Sequence, residues 1–209
     1  MKFGIFIYDG VEPIDLATYG VLSMARRIEA SIEICTIAPI AGEVRLANGL
    51  RVVAEYGIDN APSLHYLIVT GGPGWTAQAE SPATLDFIRS LHGKTRVASV
   101  CTGAMILAAS GILDGQHATT KREVVTPEIS PLQVMRDRYP AIHVHDASFV
   151  DTNEIVTSGG VSLCIDATLH ILAQAFGIET ARETARIMEY QRAWEANRLE
   201  FPPYVVDRP

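Results

Sequence analysis

A cysteine thiolate is a strong nucleophile and a carboxyl group moves protons, so a fold that brings the two together can carry out covalent catalysis. The 209-residue chain has three cysteines, Cys35, Cys101 and Cys164. Their odd number and wide spacing fit neither a disulfide framework nor a zinc site, so all three read as reduced thiols. Cys35 lies in a strand-like run and Cys164 in an apolar helical stretch, the usual surroundings of a small buried hydrophobe. Cys101 is different. In Val97-Ala98-Ser99-Val100-Cys101-Thr102-Gly103-Ala104 a strand passes into a helix within one residue, which pins the cysteine in a sharp turn at the mouth of a sheet. The free N–H groups of the following helix face the same spot and predict a lowered thiol pKa. The N–H of Thr102 is placed to stabilise an oxyanion, and Gly72, with no side chain to block approach, is the candidate second donor.

A nucleophilic thiol needs an acid–base partner. His65 and His92 flank core elements, His143 and His145 alternate on a strand, and His170 sits on an apolar helix; none has a context that marks it as a base. Asp15 does. It follows the end of the first strand in Gly10-Val11-Glu12-Pro13-Ile14-Asp15 and interrupts an otherwise apolar face. Its competing reading is a first-turn acid that complements the helix dipole. Glu12 is the alternative acid, ranked second because Pro13 places it ahead of the helix.

These residues depend on the elements around them. Lys2 to Tyr8 is an apolar run ending at Asp9-Gly10 and reads as a buried strand. Apolar residues recur at helical spacing from Pro13 to Arg27, with proline in the first turn. Ser31 to Ala38 returns to strand character, and Ala41 to Glu55 reads as a hairpin turning at Asn48-Gly49. His65 to Val69 is a strand ending at Thr70-Gly71-Gly72-Pro73-Gly74. Ser81-Pro82 opens a helix to about His92. Val97 to Val100 leads into the Cys101 turn. His143 to Asp151 and Glu154 to Thr157 read as a hairpin around Thr152-Asn153. Val161 to Phe176 is an apolar helix closed by Gly177, and Thr180 with Glu183 forms a capping box for a last helix reaching Tyr190. Alternating strands and helices predict a doubly wound α/β fold with a mostly parallel sheet. Such sheets bind ligands beyond the carboxyl ends of their strands, where the glycine run and Cys101 both fall.

Composition narrows the function. Apolar residues make up 48% and charged residues 20%, as in an ordinary globule, and without repeat or linker the 209 residues read as one domain. A net charge of −7 leaves no broad basic surface for phosphates, so nucleic acid is not an expected partner. No apolar run reaches bilayer length, so no membrane partner is expected, and with a strand at the N-terminus in place of a signal peptide the expected compartment is the cytoplasm.

At these positions the sequence resembles the ThiJ/PfpI superfamily of class I glutamine amidotransferase-like proteins. Phe6-Ile7-Tyr8-Asp9-Gly10-Val11-Glu12-Pro13-Ile14-Asp15-Leu16 is similar to that family's opening strand and acidic loop. Thr70-Gly71-Gly72-Pro73-Gly74, the Ser99-Val100-Cys101-Thr102-Gly103-Ala104 elbow, Ala118-Thr119-Thr120 and Thr157-Ser158-Gly159-Gly160-Val161 resemble its later landmarks. The resemblance extends to about Tyr190 and implies a flavodoxin-like three-layer sandwich, helices covering both faces of the sheet. The pairing of D-G-x-x-x-x-D-L with S-V-C-T-G looks most like the isonitrile hydratase branch and the amidotransferase-like domains of some AraC-type regulators. It implies that Cys101 attacks the terminal carbon of an isonitrile, a small electrophilic substrate. Asp15 would protonate carbon and activate water, and the amides of Gly72 and Thr102 would bracket the nucleophile. No metal or organic cofactor is implied, and the family analogy implies a homodimer. The tail from Gln191 to Pro209, with Trp194, Phe201 and Tyr204, would pack across that interface. Two positions depart from the family pattern. Lys121 stands where members often carry histidine, which counts against amidotransferase or peptidase chemistry, and Ala17-Thr18-Tyr19-Gly20 replaces a common glycine-proline and alters the pocket wall. The other readings are glyoxalase- or deglycase-like action on 2-oxoaldehydes, and a non-catalytic redox or stress sensor in which Cys101 oxidises to a sulfinate.

Overall fold

Phe3, Ile5 and Phe6 have no exposed surface, as expected of a parallel strand covered on both faces. They belong to β1 (Lys2–Phe6), an interior strand of an eight-stranded sheet. A computed structural model describes residues 1–206 of the chain. β1 pairs in parallel with β2 (Glu33–Ala38) on one side and with a later strand, Tyr66–Val69, on the other. Between these two partners come β3 (Gly42–Arg45) and β4 (Arg51–Ala54), which form the expected hairpin at Asn48-Gly49, and β5 (Tyr56–Gly57), an edge strand on β2. Tyr66–Val69 is therefore β6, and β7 (Arg96–Ser99) runs parallel beside it. The order β2-β1-β6-β7 reverses direction between β1 and β6. Such a switch point opens a crevice at the carboxyl ends of the strands.

Beyond β7 the sheet continues with β11 (Ile155–Ser158), β10 (Phe149–Asp151) and β12 (Tyr204–Val205). β11 is parallel to β7, while β10 is antiparallel to β11. A separate parallel pair joins β8 (His117–Ala118) to β9 (His143–Val144). The expected second hairpin is thus present around Thr152-Asn153 but shorter, because its first arm breaks into β9 and β10.

The helices divide into two groups that cover the sheet as outer layers. α1 (Ala17–Ala25), α6 (Cys164–Phe176) and α7 (Ile178–Ile187) pack together, as do α2 (Trp75–Ala79), α3 (Pro82–Leu91) and α4 (Gly103–Ser110). α5 (Pro131–Arg138) leans on α4. α4 is apolar all round, with Met105, Ile106 and Leu107 wholly buried, as befits a helix sunk into the core. This is the flavodoxin-like three-layer sandwich.

Two local expectations require correction. Pro13 to Arg27 is not one helix: Pro13–Leu16 is a 3₁₀ turn, and α1 starts at Ala17. The tighter turn closes through Asp15 N–H on the Glu12 carbonyl at 2.9 Å and turns the Asp15 side chain inward. The Thr180–Glu183 capping box does not form. Gly177, at φ 93°, ends α6 and opens α7 one residue later, so Thr180 is already helical; its hydroxyl donates to the Phe176 carbonyl, and Glu183 pairs with Arg186. The tail expected at an interface makes contacts within its own chain as well. It forms α8 (Gln191–Glu200) and β12, with Trp194 buried, Phe201 4.4 Å from the Arg122 guanidinium and Tyr204 stacked on His145 at 3.9 Å. Residues 207–209 of the expected tail lie outside the described residues. Among the described residues no helix is long and apolar enough to cross a membrane.

Candidate active site

Three chain segments meet at the carboxyl ends of β1, β6 and β7. The loop after β6 enters first. Gly72 has φ 135°, and a Cβ there would lie 2.2 Å from the Glu12 nitrogen, so only glycine lets this loop pass against the acidic loop after β1. The Glu12 N–H donates to the Gly71 carbonyl at 2.9 Å, and the Gly71 N–H donates to Asp15 Oδ2 at 2.6 Å. The elbow follows β7. Cys101 adopts φ 54°, a left-handed conformation rarely taken by residues with a side chain. The strain is held from two sides. Gly103 packs its Cα so closely on the Val69 carbonyl that a Cβ would meet that oxygen at 2.2 Å. Thr120 Oγ1 donates to the Cys101 carbonyl at 2.9 Å, with both residues buried.

Cys101 lines a cleft of about 680 Å³ with Gly72, Thr102, Glu12 and Lys121; Trp75, Ile14, Val124 and Ile129 supply apolar wall. Asp15 lies beneath this lining, with no exposed surface, and its Oδ1 has no hydrogen-bond partner. Burial lifts its carboxyl pKa from 3.8 to about 7, opposed by the Gly71 hydrogen bond and assisted by the charge of Glu12. Glu12, ranked second from sequence, faces the cleft itself, as does Glu128.

The thiol departs from expectation. The elbow was expected to lower its pKa, yet burial pushes the Cys101 thiol up to about 12, and the negative charge of Asp15 raises it further. The Thr102 N–H, the Lys121 charge and the Thr102 hydroxyl all pull downward and do not win. The helix-terminus argument omitted desolvation, which dominates for a side chain only 2% exposed. Gly72 also differs in detail. Its N–H donates to Thr102 Oγ1 at 2.8 Å, so the Thr102 amide, and not that of Gly72, acts on the sulfur.

Cys35 and Cys164 are buried and free, and burial raises both thiols, to about 11 and about 12 respectively. No histidine lines the cleft among the described residues; His170 instead bonds buried Asp151 at 2.8 Å. Sequence reasoning missed three features: the Thr120 tether, the outward position of Glu12, and the segment 121–131 as a cleft wall. The Ala-Thr-Thr stretch was the available signal for the first.

The family model for the DJ-1/PfpI family matches residues 1–174. The chain belongs to this family. It is 30% identical over 198 residues to an isonitrile hydratase of Pseudomonas putida, covering 92% of this chain and 80% of that enzyme. It is 28% identical over 155 residues to the HTH-type transcriptional regulator GbdR of Pseudomonas aeruginosa, covering 72% of this chain but only 39% of the regulator. Among solved structures, a ThiJ/PfpI family protein from Pseudomonas syringae superposes with TM-score 0.77 at 23% identity, over 96% of this chain and 87% of that one. Drosophila melanogaster DJ-1beta gives 0.76 at 18% identity, over 90% and 97%. Both structural likenesses speak to the fold.

Proposed function

We propose that this DJ-1/PfpI protein is an enzyme that hydrates small isonitriles to N-substituted formamides, with Cys101 as nucleophile. The observation that carries the reading is the burial of Cys101 beside an Asp15 carboxyl whose pKa stands near 7. A neutral thiol at rest suits an uncharged substrate, and a carboxyl near neutrality exchanges a proton in either direction. The similarity to an isonitrile hydratase supports the choice of substrate.

The sulfur of Cys101 bonds to the terminal carbon of R–N≡C, and the thiol proton passes by way of Asp15 to that same carbon, giving the thioimidate Cys–S–CH=N–R. Water then adds to this carbon: its oxygen forms the new bond, and Asp15 takes one of its protons while passing one to nitrogen. The tetrahedral adduct Cys–S–CH(OH)–NH–R collapses to R–NH–CHO as the carbon–sulfur bond breaks, and the sulfur recovers a proton. The sum is one isonitrile plus one water to one formamide. Thr102 supports the departing sulfur through its N–H and hydroxyl, both of which favour the thiolate. Gly72 orients that hydroxyl.

The test is direct. Incubation with cyclohexyl isonitrile is expected to yield N-cyclohexylformamide, while methylglyoxal is expected to give no lactate. Lactate without formamide would move the protein to the 2-oxoaldehyde reading. The proposal includes a C₂ homodimer in the cytoplasm, and light scattering should return twice the 22.7 kDa of the chain.

A further inference from the structure

Lys121 enters the cleft from the segment that follows β8, and it is fixed on both sides. One residue earlier, Thr120 is tied to the Cys101 carbonyl at 2.9 Å. Two residues later, the Glu123 carbonyl accepts a hydrogen bond from Lys121 Nζ. The ammonium therefore sits at a set place relative to the sulfur instead of ranging over the surface. Two carboxylates close in sequence or space belong to its neighbour: Arg122 pairs with Asp146 at 3.0 Å and with Glu123 at 3.0 Å, and its guanidinium lies over the Phe201 ring; Glu12 and Glu128 share the cleft but form no ion pair with Lys121. Lys121 has no ion-pair partner among the described residues. In a chain of net charge −7, an anchored cation without a counter-ion on the wall of a nucleophile's cleft has a specific field to exert.

The groups that face Cys101 come from three segments. The acidic loop brings Asp15 and Glu12, the end of β1 brings Tyr8, and the segment 121–131 brings Lys121 and Glu128. Tyr8 is neutral, its phenol held well above its usual range by burial. Two of the charges act on the sulfur in opposite senses: Asp15 disfavours the thiolate and Lys121 favours it.

We propose that Lys121 is the positioning residue for the ionised form of Cys101, its anchored ammonium supplying the positive charge that the sulfur needs when it attacks and when it leaves. A lysine keeps this charge throughout the neutral range, where a histidine loses it. The proposal rests on Cys101 as the nucleophile and is independent of isonitrile as the substrate.

Alkylation of Cys101 in the full-length protein tests it. Neutral iodoacetamide and anionic iodoacetate are compared at pH 8 by intact mass, with Cys101→Ser giving the background from Cys35 and Cys164. Lys121→Met keeps the stem and removes the charge. It is expected to slow iodoacetamide by roughly 3- to 10-fold, the effect of one partly screened charge, and iodoacetate by more, so that the iodoacetate-to-iodoacetamide ratio falls. Lys121→Arg is expected to restore both rate and ratio. Wild-type rates in Lys121→Met would overturn the proposal. So would equal slowing of both reagents, or an arginine variant as slow as the methionine one, since either would mark a purely structural side chain. Because no isonitrile is used, a wild-type protein that fails to make formamide leaves this outcome intact.

Discussion

Asp15 Oδ2 accepts the Gly71 amide proton at 2.6 Å, while Asp15 Oδ1, equally buried, has no partner. One oxygen fixes the carboxyl on the β6 loop and the other is left to carry a proton. The arrangement separates positioning from chemistry within one side chain. It also has a cost to the fold, because an ionised carboxylate with an unsatisfied oxygen is held away from water.

Asp15→Asn exposes both consequences. The amide oxygen still accepts from Gly71 but cannot transfer a proton, so formamide production should fall by roughly 10²–10⁴-fold. Stability should move the other way. The folded pKa of about 7 lies above the ordinary 3.8, so the native state binds a proton that the unfolded chain releases. That contribution is complete below about pH 4 and is lost as pH rises through 7. Above pH 7 the wild type keeps the buried charge that asparagine lacks. The variant should therefore gain on the wild type between pH 5 and 8, by about 2.5 kcal/mol of the roughly 4 kcal/mol that separates pH 3 from pH 8. Thermal melts across that range check it, and a difference that does not vary with pH would remove the pKa argument.

Thr102→Val takes away the oxygen that accepts the Gly72 amide. A buried N–H without a partner should destabilise the fold by about 1–3 kcal/mol, read as a lower urea midpoint. Turnover should fall as well, because the sulfur loses the hydroxyl that favours its ionised form. Thr102→Ser restores the oxygen and should recover most of both losses. A serine variant as impaired as the valine one would mean that the methyl group, and not the hydroxyl, matters here.

Cys101→Ala and Cys101→Ser should abolish turnover and leave the fold intact. Cys101→Gly separates strain from chemistry. At φ 54° a glycine relieves about 1 kcal/mol or more that alanine retains, so the inactive glycine variant should melt at or above the temperature of the inactive alanine variant. A glycine variant that melts clearly lower would show that the elbow stores no strain.

The parts of this architecture that are local in sequence were legible in it. Val97 to Val100 and the turn at Cys101 needed only a β-rich run beside a glycine-marked helix start, and the hairpin at Asn48-Gly49 needed only its turn residues. Asp15 stood out as a carboxyl on an apolar face. What failed depended on the third dimension. The direction of the Cys101 pKa shift turns on how deeply α4 sinks into the core, and no pattern around residue 101 states that depth. Thr180 and Glu183 carry a valid cap signal, but Gly177 starts the helix first.

Two glycines in helices test whether close packing fixes the elbow. Gly20 in α1 has open space where a Cβ would go, so Gly20→Ala should stabilise by about 0.5–1 kcal/mol through helix propensity alone. Gly103 opens α4, and the same change offers a similar propensity gain. There, however, the new Cβ would lie 2.2 Å from the Val69 carbonyl oxygen and 2.9 Å from that of Thr70. Both are backbone atoms at the end of β6 and cannot swing aside, so α4 itself must shift. Overpacking of this kind costs about 1–3 kcal/mol, and the shift displaces Thr102 and the sulfur that its N–H serves. Gly103→Ala should therefore melt below the wild type and lose most of its turnover, while Gly20→Ala melts above it with turnover unchanged. Equal melting temperatures for the two variants would mean that the contact between α4 and β6 yields freely, and the elbow would then owe its geometry to the Thr120 tether alone.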